Sequence, residues 1–401
     1  MNKLMKMSVG GMAILLFLVF GFAGVASSFD DVFKIPIISP YSGGATGWGM
    51  AEKNSYTYAI NDINAAGGLK IGGKSYKVEM INYDSKYLIG EAITLLNRAI
   101  FQDKAKFLSI MGQHICVAAA PICNKNGVFM FADASGGREI TNPDHPLTFR
   151  MMFNPNMLGS VLYYPALMKD FGVKTVAMMN PDDDGGYSTV KVIQEKTLPN
   201  MNPAPQVVAI EYYTRNTKDL TPVILRIMAK NPDLIDFGMS TPGDTALAIK
   251  QLREAGYKGH LMNSASVPGA DILFKIAGPL VEDYFILGTH AVPPTKEYEE
   301  YEAKYKKDHN VNALPSIAGY CYVEMKALLD TINEVGAFDP HKVADALGKR
   351  KWNSMLGPVR YMGKEKVIGF DIDRNFCAPT PLSRMKKDGS VVKYLVSSLT
   401  D

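Results

Sequence analysis

From Phe33 to Ile38 the chain is apolar over the length of a buried strand, and it then enters a loop of small residues, Ser42-Gly43-Gly44-Ala45-Thr46-Gly47. Apolar residues at Met50, Tyr58, Ile60 and Ile63 mark an amphipathic helix that stops at Gly67-Gly68. The alternation continues. Helix Ile89 to Phe101, strand Phe107 to Met111, helix Cys116 to Lys125, strand Val128 to Phe131 and strand Leu147 to Met151 follow. A second series begins with helix Met157 to Phe171 and strand Thr175 to Met179, then helix Ser188 to Leu198, strand Val207 to Tyr212 and helix Leu220 to Ala229. It closes with strand Leu234 to Gly238, helix Ala246 to Ala255, strand His260 to Met262 and strand Tyr284 to Leu287.

Short strands alternating with helices, in two runs, predict an α/β chain with two doubly wound, mainly parallel sheets. In such sheets the ligand place is the crevice beyond the strands' C-terminal ends. A strand that empties into a Gly/Ser/Thr loop and then a helix N-terminus also offers free N–H groups and a positive dipole end to an anion. Beyond these series, Tyr298 to Glu334 reads as helical, with Glu300 and Lys304 spaced for i,i+4 pairing, and Pro358 to Ser398 reads as strands separated by turns.

A length of 401 residues at 47% hydrophobic composition suits two lobes rather than one. Charge is nearly balanced, at +3, so no basic field for nucleic acid is present. Lys3 and Lys6, the apolar stretch Met12 to Phe22 and the small residues Gly24, Ala26, Ser27 and Ser28 read as an export leader, residues 1–27, cleaved near Ala26. The expected place is the periplasm. Cys116 and Cys123 are seven apart in a predicted helix, about 10 Å along the axis, too far to bridge. Buried thiols are the reading for that pair, while a Cys321–Cys377 bridge stays open. No spacing suggests zinc.

The opening stretch resembles that of the periplasmic leucine/isoleucine/valine-binding proteins, type I solute-binding proteins that serve branched-chain amino acid ABC transporters. The matching residues are Ser42-Gly43, Gly49, the run Ala59-Ile60-Asn61-Asp62-Ile63-Asn64-Ala65-Ala66-Gly67-Gly68, and Asp84 at the end of the next strand. The likeness extends over essentially the whole chain after the leader. It implies two Rossmann-like lobes joined by a hinge. Residues 28–151 plus 290–357 would form the first, residues 152–289 plus 358–401 the second, with crossovers near Met151, near Thr289 and after Gly357. It implies no chemistry and no cofactor, a small-molecule ligand, a membrane permease as partner, and a monomer.

Catalytic patterns are absent where they would be expected. Gly186-Tyr187-Ser188-Thr189-Val190 lacks the last glycine of a nucleophile elbow, and Gly47-Trp48-Gly49 is half of a dinucleotide fingerprint. A secreted hydrolase is therefore the competing class, and a ligand sensor feeding a receptor is the alternative among binding proteins. Loop ends after predicted strands supply the candidate ligand contacts: Ser42 and Trp48, Gln113 and His114, Ser135 and Gly136, and Tyr187. The resemblance adds Thr241, where the family often has an aromatic, and Ala265.

Ala265 is the main departure. In amino acid receptors of this family that position carries the acid that pairs with the ligand's ammonium group. Burying an ammonium without a carboxylate costs several kcal/mol. Either Asp133, Asp244 or an acid of Asp182–Asp184 replaces it, or the ligand has no ammonium; the sequence favours the second. A small carboxylate or amide whose apolar body packs on Trp48 and Tyr187 is the expectation.

Overall fold

The structure, a computed structural model, describes residues 29–134, 139–150, 155–266, 268–287, 295–362, 365–367, 370–378 and 380–397. The expected leader, Ser135, Gly136, and the crossovers at Met151 and Thr289 lie outside the described residues.

The first series runs β1 (Asp31–Ser39), α1 (Thr46–Ala65), β2 (Leu69–Ile71), β3 (Lys74–Asp84), α2 (Ile89–Phe101), β4 (Phe107–Met111), α3 (Gln113–Lys125), β5 (Phe129–Asp133) and β6 (Thr148–Arg150). On α1 the buried residues Trp48, Ala51, Glu52, Ser55, Tyr56, Ala59 and Ile60 recur at helical spacing and form one inward stripe. The helix ends where Gly67 and Gly68 take positive φ, and a Cβ on Gly68 would lie 2.2 Å from the Tyr76 carbonyl oxygen. Only glycine fits that turn.

The second series runs α4 (Pro155–Phe171), β7 (Thr175–Pro181), α5 (Asp184–Val192), β8 (Gln206–Tyr213), α6 (Thr221–Met228), β9 (Leu234–Asp236), α7 (Pro242–Glu254), β10 (His260–Met262), α8 (Ala270–Ala277) and β11 (Tyr284–Leu287). The chain then continues through α9 (Lys296–His309), α10 (Ala318–Val335), α11 (Pro340–Lys349), β12 (Lys351–Ser354), β13 (Gly357–Met362), β14 (Glu365–Val367), β15 (Phe370–Ile372), β16 (Asn375–Cys377), β17 (Thr380–Met385) and β18 (Val391–Ser397). The predicted long helical region is two helices, because Asn310 adopts a left-handed conformation and caps α9. In the predicted charge pairing, Lys304 takes Asp308, and Glu300 takes Lys296 at 3.3 Å.

Two main sheets result. The first has the order β12-β13-β16-β6-β5-β4-β1-β3-β2 and the second β18-β17-β11-β10-β9-β7-β8. Their central strands are parallel: β3, β1, β4, β5 and β6 in the first, β8, β7, β9, β10 and β11 in the second. The chain turns to the second sheet later than Gly357. β13 and β16 pair with each other in the first sheet, and β17 and β18 are the strands that join the second. Aromatic packing explains this, since Tyr361 and Phe376 meet Trp352, and Tyr361 also meets Phe149 at 5.0 Å, closing the first core.

None of the four cysteines is disulfide-bonded, and all are buried. Cys116 Sγ donates to the Ile110 carbonyl at 3.2 Å, and the open Cys321–Cys377 pairing is not formed. Among the described residues no helix is long and apolar enough to cross a membrane.

Candidate ligand-binding site

Strand order fixes where the site lies. From β1 the chain steps to β3 on one side and β4 on the other, so the loops after β1 and β4 diverge at the edge of the first sheet. From β7 it steps to β8 on one side and β9 on the other, and the loops after β7 and β9 diverge likewise. Such switch points open a crevice at the carboxyl ends of the strands.

The two crevices face each other. Gly44 N, after β1, donates to Asn216 Oδ1, after β8, at 3.1 Å, and the Gly44 carbonyl accepts from Gly243 N at the start of α7 at 3.1 Å. Gln113 Nε2, at the start of α3, donates to Ser188 Oγ on α5 at 2.8 Å. Arg215 lies over the Tyr87 ring, 5.5 Å from its centre. A Cβ on Gly44 would come within 2.6 Å of Asn216 Oδ1 and 3.2 Å of Thr241 Oγ1, so a side chain there would displace the Asn216 carboxamide that Gly44 N now binds.

The structure brings together Trp48, Tyr87 and His114 on the first lobe. The Trp48 and Tyr87 rings are 5.9 Å apart and the Tyr87 and His114 rings 4.8 Å apart. His114 Nε2 lies 3.2 Å from the Tyr87 carbonyl oxygen, and burial lowers its pKa below the usual imidazole value. Ser42 turns to its own lobe, donating to Asp84 Oδ2 at 2.7 Å while Tyr41 N donates to Oδ1. The N-terminus of α1 carries no side-chain cap, and backbone carbonyls close its first turn instead: Thr46 N donates to the Gly43 carbonyl at 3.3 Å and Trp48 N to the Ala45 carbonyl at 3.0 Å.

Tyr187 sits apart from Trp48. It is 48% exposed, packs its ring at a tilt against that of Tyr212 with centres 4.8 Å apart, and donates to Asp182, which places it on the rim of the second lobe. Thr241 is a helix cap. Its hydroxyl accepts from Asp244 N and donates to Asp244 Oδ2 at 2.8 Å.

Ala265 is fully buried in a loop held at every turn. Asp236, at the end of β9, accepts from Ser264 N, Gly238 N and the Tyr164 hydroxyl at 2.7–2.9 Å. Asn263 Nδ2 donates to Ser266 Oγ at 2.6 Å, and Ser266 Oγ donates to the Ser240 carbonyl at 2.8 Å. The hydrogen-bonded loop thus holds the Ala265 methyl group in a buried position.

Of the acids that could replace a carboxylate there, three are engaged: Asp182 by the Tyr187 hydroxyl, and Asp183 and Asp244 within the second lobe. Arg215 holds Asp183 through both carboxylate oxygens and donates to the Met239 carbonyl at 3.1 Å. Burial alone would raise the Asp183 carboxyl, but Arg215 and the Gly186 N–H hold it below the usual range. Asp244 is bound by Thr241 and by Asn216 N at 3.1 Å. Tyr87 and Arg215 escaped the sequence reading. Tyr87 and Lys86 both have positive φ, a conformation that non-glycine residues rarely take and that nothing in their identity announces.

Comparison with known proteins agrees with this architecture. The chain is 25% identical over 368 residues to a leucine-, isoleucine-, valine-, threonine- and alanine-binding protein of Pseudomonas aeruginosa, covering 89% of this chain and 93% of that protein. It is similar in fold to the branched-chain amino acid transporter substrate binding protein LivJ of Streptococcus pneumoniae, solved with isoleucine, at a TM-score of 0.75 and 18% identity, covering 90% of this chain and 100% of that one. A solute binding protein of an ABC transporter from Rhodopseudomonas palustris, solved with 3,4-dihydroxybenzoic acid, matches at a TM-score of 0.76 and 19% identity, covering 92% of this chain and 98% of that one. With a family model for periplasmic binding proteins matching residues 32–368, the chain belongs to the periplasmic binding protein family.

Proposed function

We propose that this protein is the extracytoplasmic receptor of an ABC importer of the branched-chain amino acid type, and that it clasps a small carboxylate or amide without an ammonium group between its two lobes. The observation that carries the ligand class is Ala265. A methyl group occupies the loop where an ammonium would need an acid, while Asp183 and Asp244 are committed to Arg215, Thr241 and Asn216. The fold neighbour solved with 3,4-dihydroxybenzoic acid binds an acid that has no ammonium, which supports the reading.

The two lobes, one around each main sheet, close by a hinge. The chain is exported with cleavage near Ala26, acts as a monomer, delivers its ligand to a membrane permease and performs no turnover. Trp48, Gln113, His114, Ser135 and Gly136 face the ligand from the first lobe, and Tyr187 guards the rim.

A thermal-shift screen against amino acids, short carboxylates, aromatic acids and amides tests this, since a ligand well above its Kd raises the melting temperature by mass action. A shift with ammonium-free members supports the reading. A shift confined to leucine, isoleucine and valine overturns it.

A further inference from the structure

Another of the candidate acids, Asp133, is the last residue of β5 and more than nine-tenths buried. Its Oδ2 has no hydrogen-bond partner among the described residues. On the neighbouring strand end, Gln113 also keeps a buried Oε1 without a partner, and Gly112 N donates to the Asp133 carbonyl at 2.9 Å. Two open polar atoms thus lie at the carboxyl ends of the adjacent strands β4 and β5.

Sheet register explains what surrounds Asp133. Ala132 pairs with Arg150, so the Arg150 side chain shares the face of Ala132, opposite that of Asp133. Asp133 shares its own face with Met111, its partner on β4, and with Ser109 two residues before it. That face is covered by α1 and α10, which bring Glu52 and Glu324, both fully buried. Ser109 Oγ donates to Glu52 Oε1 at 2.7 Å, while Glu52 Oε2 and both oxygens of Glu324 have no partner.

Three buried carboxyl groups thus stand within electrostatic reach of one another. The other titratable groups that feel Asp133 are the thiols Cys116 on α3 and Cys321 on α10, and the Tyr87 phenol. None of these is a cation. Buried like charges cannot all ionise, and such groups keep protons instead. Burial, and then Glu52, pushes the Asp133 carboxyl well above its ordinary value.

We propose that Asp133 contacts the ligand directly and donates a hydrogen bond from its carboxyl group to a carboxylate or carbonyl oxygen. This rests on the reading of the cleft as the ligand site. It makes Asp133 a reader of ligand oxygen, and it sets the acid against an ammonium, which would need Asp133 ionised among two further acids.

Calorimetric titration of the wild type, D133N and D133L with 4-methylpentanoate, benzoate, benzamide and L-leucine at pH 6, 7 and 8 tests the assignment. Asparagine keeps an N–H donor, so D133N should bind the wild type's ligand within about threefold, while D133L should lose about tenfold or more. Wild-type affinity should stay level or fall as pH rises. D133L binding as the wild type does, or D133N losing as much as D133L, overturns the proposal. So does an affinity for L-leucine that rises with pH, which would mean an ionised acid pairing with an ammonium. If none of the four compounds binds the wild type, the reading of the cleft falls and takes the proposal with it. Circular dichroism checks folding, and D133A carries the comparison should D133L fail to fold.

Discussion

The guanidinium of Arg215, from the loop after β8, lies 5.5 Å from the centre of the Tyr87 ring, from the turn after β3, and so ties the second sheet's loops to the first. Asp183 anchors the same guanidinium from behind. Removing one member of a partly buried pair leaves the other uncompensated. R215A should therefore weaken ligand binding and lower stability by about 2 kcal/mol. R215A/D183N should recover part of the stability but not the affinity, because the contact to Tyr87 stays lost. Melting curves and calorimetric titrations of the two singles and the double measure this coupling.

Gly44 sits where the lobes touch, with its N–H bound to Asn216. In G44A the added methyl meets Asn216 Oδ1 at 2.6 Å, and Asn216 or the loop must withdraw. Each lobe keeps its own core, so thermal stability should change by less than about 1 kcal/mol while affinity falls by about tenfold or more. Small-angle scattering on G44A with saturating ligand should show a larger radius of gyration than the wild type. Equal radii and equal affinities would mean that this contact plays no part in closure.

Glu52 makes stability depend on pH in a defined direction. Burial outweighs the bonds from Ser39, Ser109 and Tyr56 and raises its pKa to about 7. The folded chain then holds this proton more tightly than the unfolded chain, so folding loses stability as pH rises from about 4.5 to about 7. E52Q keeps an acceptor for Ser109 and removes the charge. Denaturant melts should show E52Q close to the wild type at pH 4 and more stable by about 1–3 kcal/mol at pH 8. A constant difference across that range would contradict the assignment.

Much of this architecture was written in periodicity. The strands Phe107–Met111, His260–Met262 and Tyr284–Leu287 and the helix Ile89–Phe101 stand where their apolar spacing puts them, because each buries its apolar positions against its neighbours. The helices α8 and α11 and the pairing of β13 with β16 were not read. The two helices do carry local signals, buried Ala270, Leu273 and Ala277 at helical spacing in α8 and an Asp339 cap with Pro340 in α11, whereas the β13–β16 pairing rests on tertiary contacts such as Tyr361 against Phe149. The site was legible in part. Trp48, Gln113 and His114 follow predicted strands and so fall at loop ends, and Ala265 follows from the resemblance. Tyr87, Arg215 and the exposed packing of Tyr187 on Tyr212 depend on turn conformation and on the approach of two lobes that are far apart in sequence. The sequence offers Asp133, Asp244 and the acids of Asp182–Asp184 as equals, and hydrogen-bond partners distinguish Asp133 from Asp182, Asp183 and Asp244.

The central claim is that the cleft takes a small ligand and has no place for an ammonium. Calorimetric titration with matched pairs tests it most directly: 4-methylpentanoate against L-leucine, and 3-phenylpropanoate against L-phenylalanine, each differing by one amino group. The account predicts that the ammonium-free member of at least one pair binds at least about tenfold more tightly, since an ammonium placed against Ala265 would be buried without a partner. Tighter binding of the amino acid in either pair, or no binding by any of the four, would contradict it.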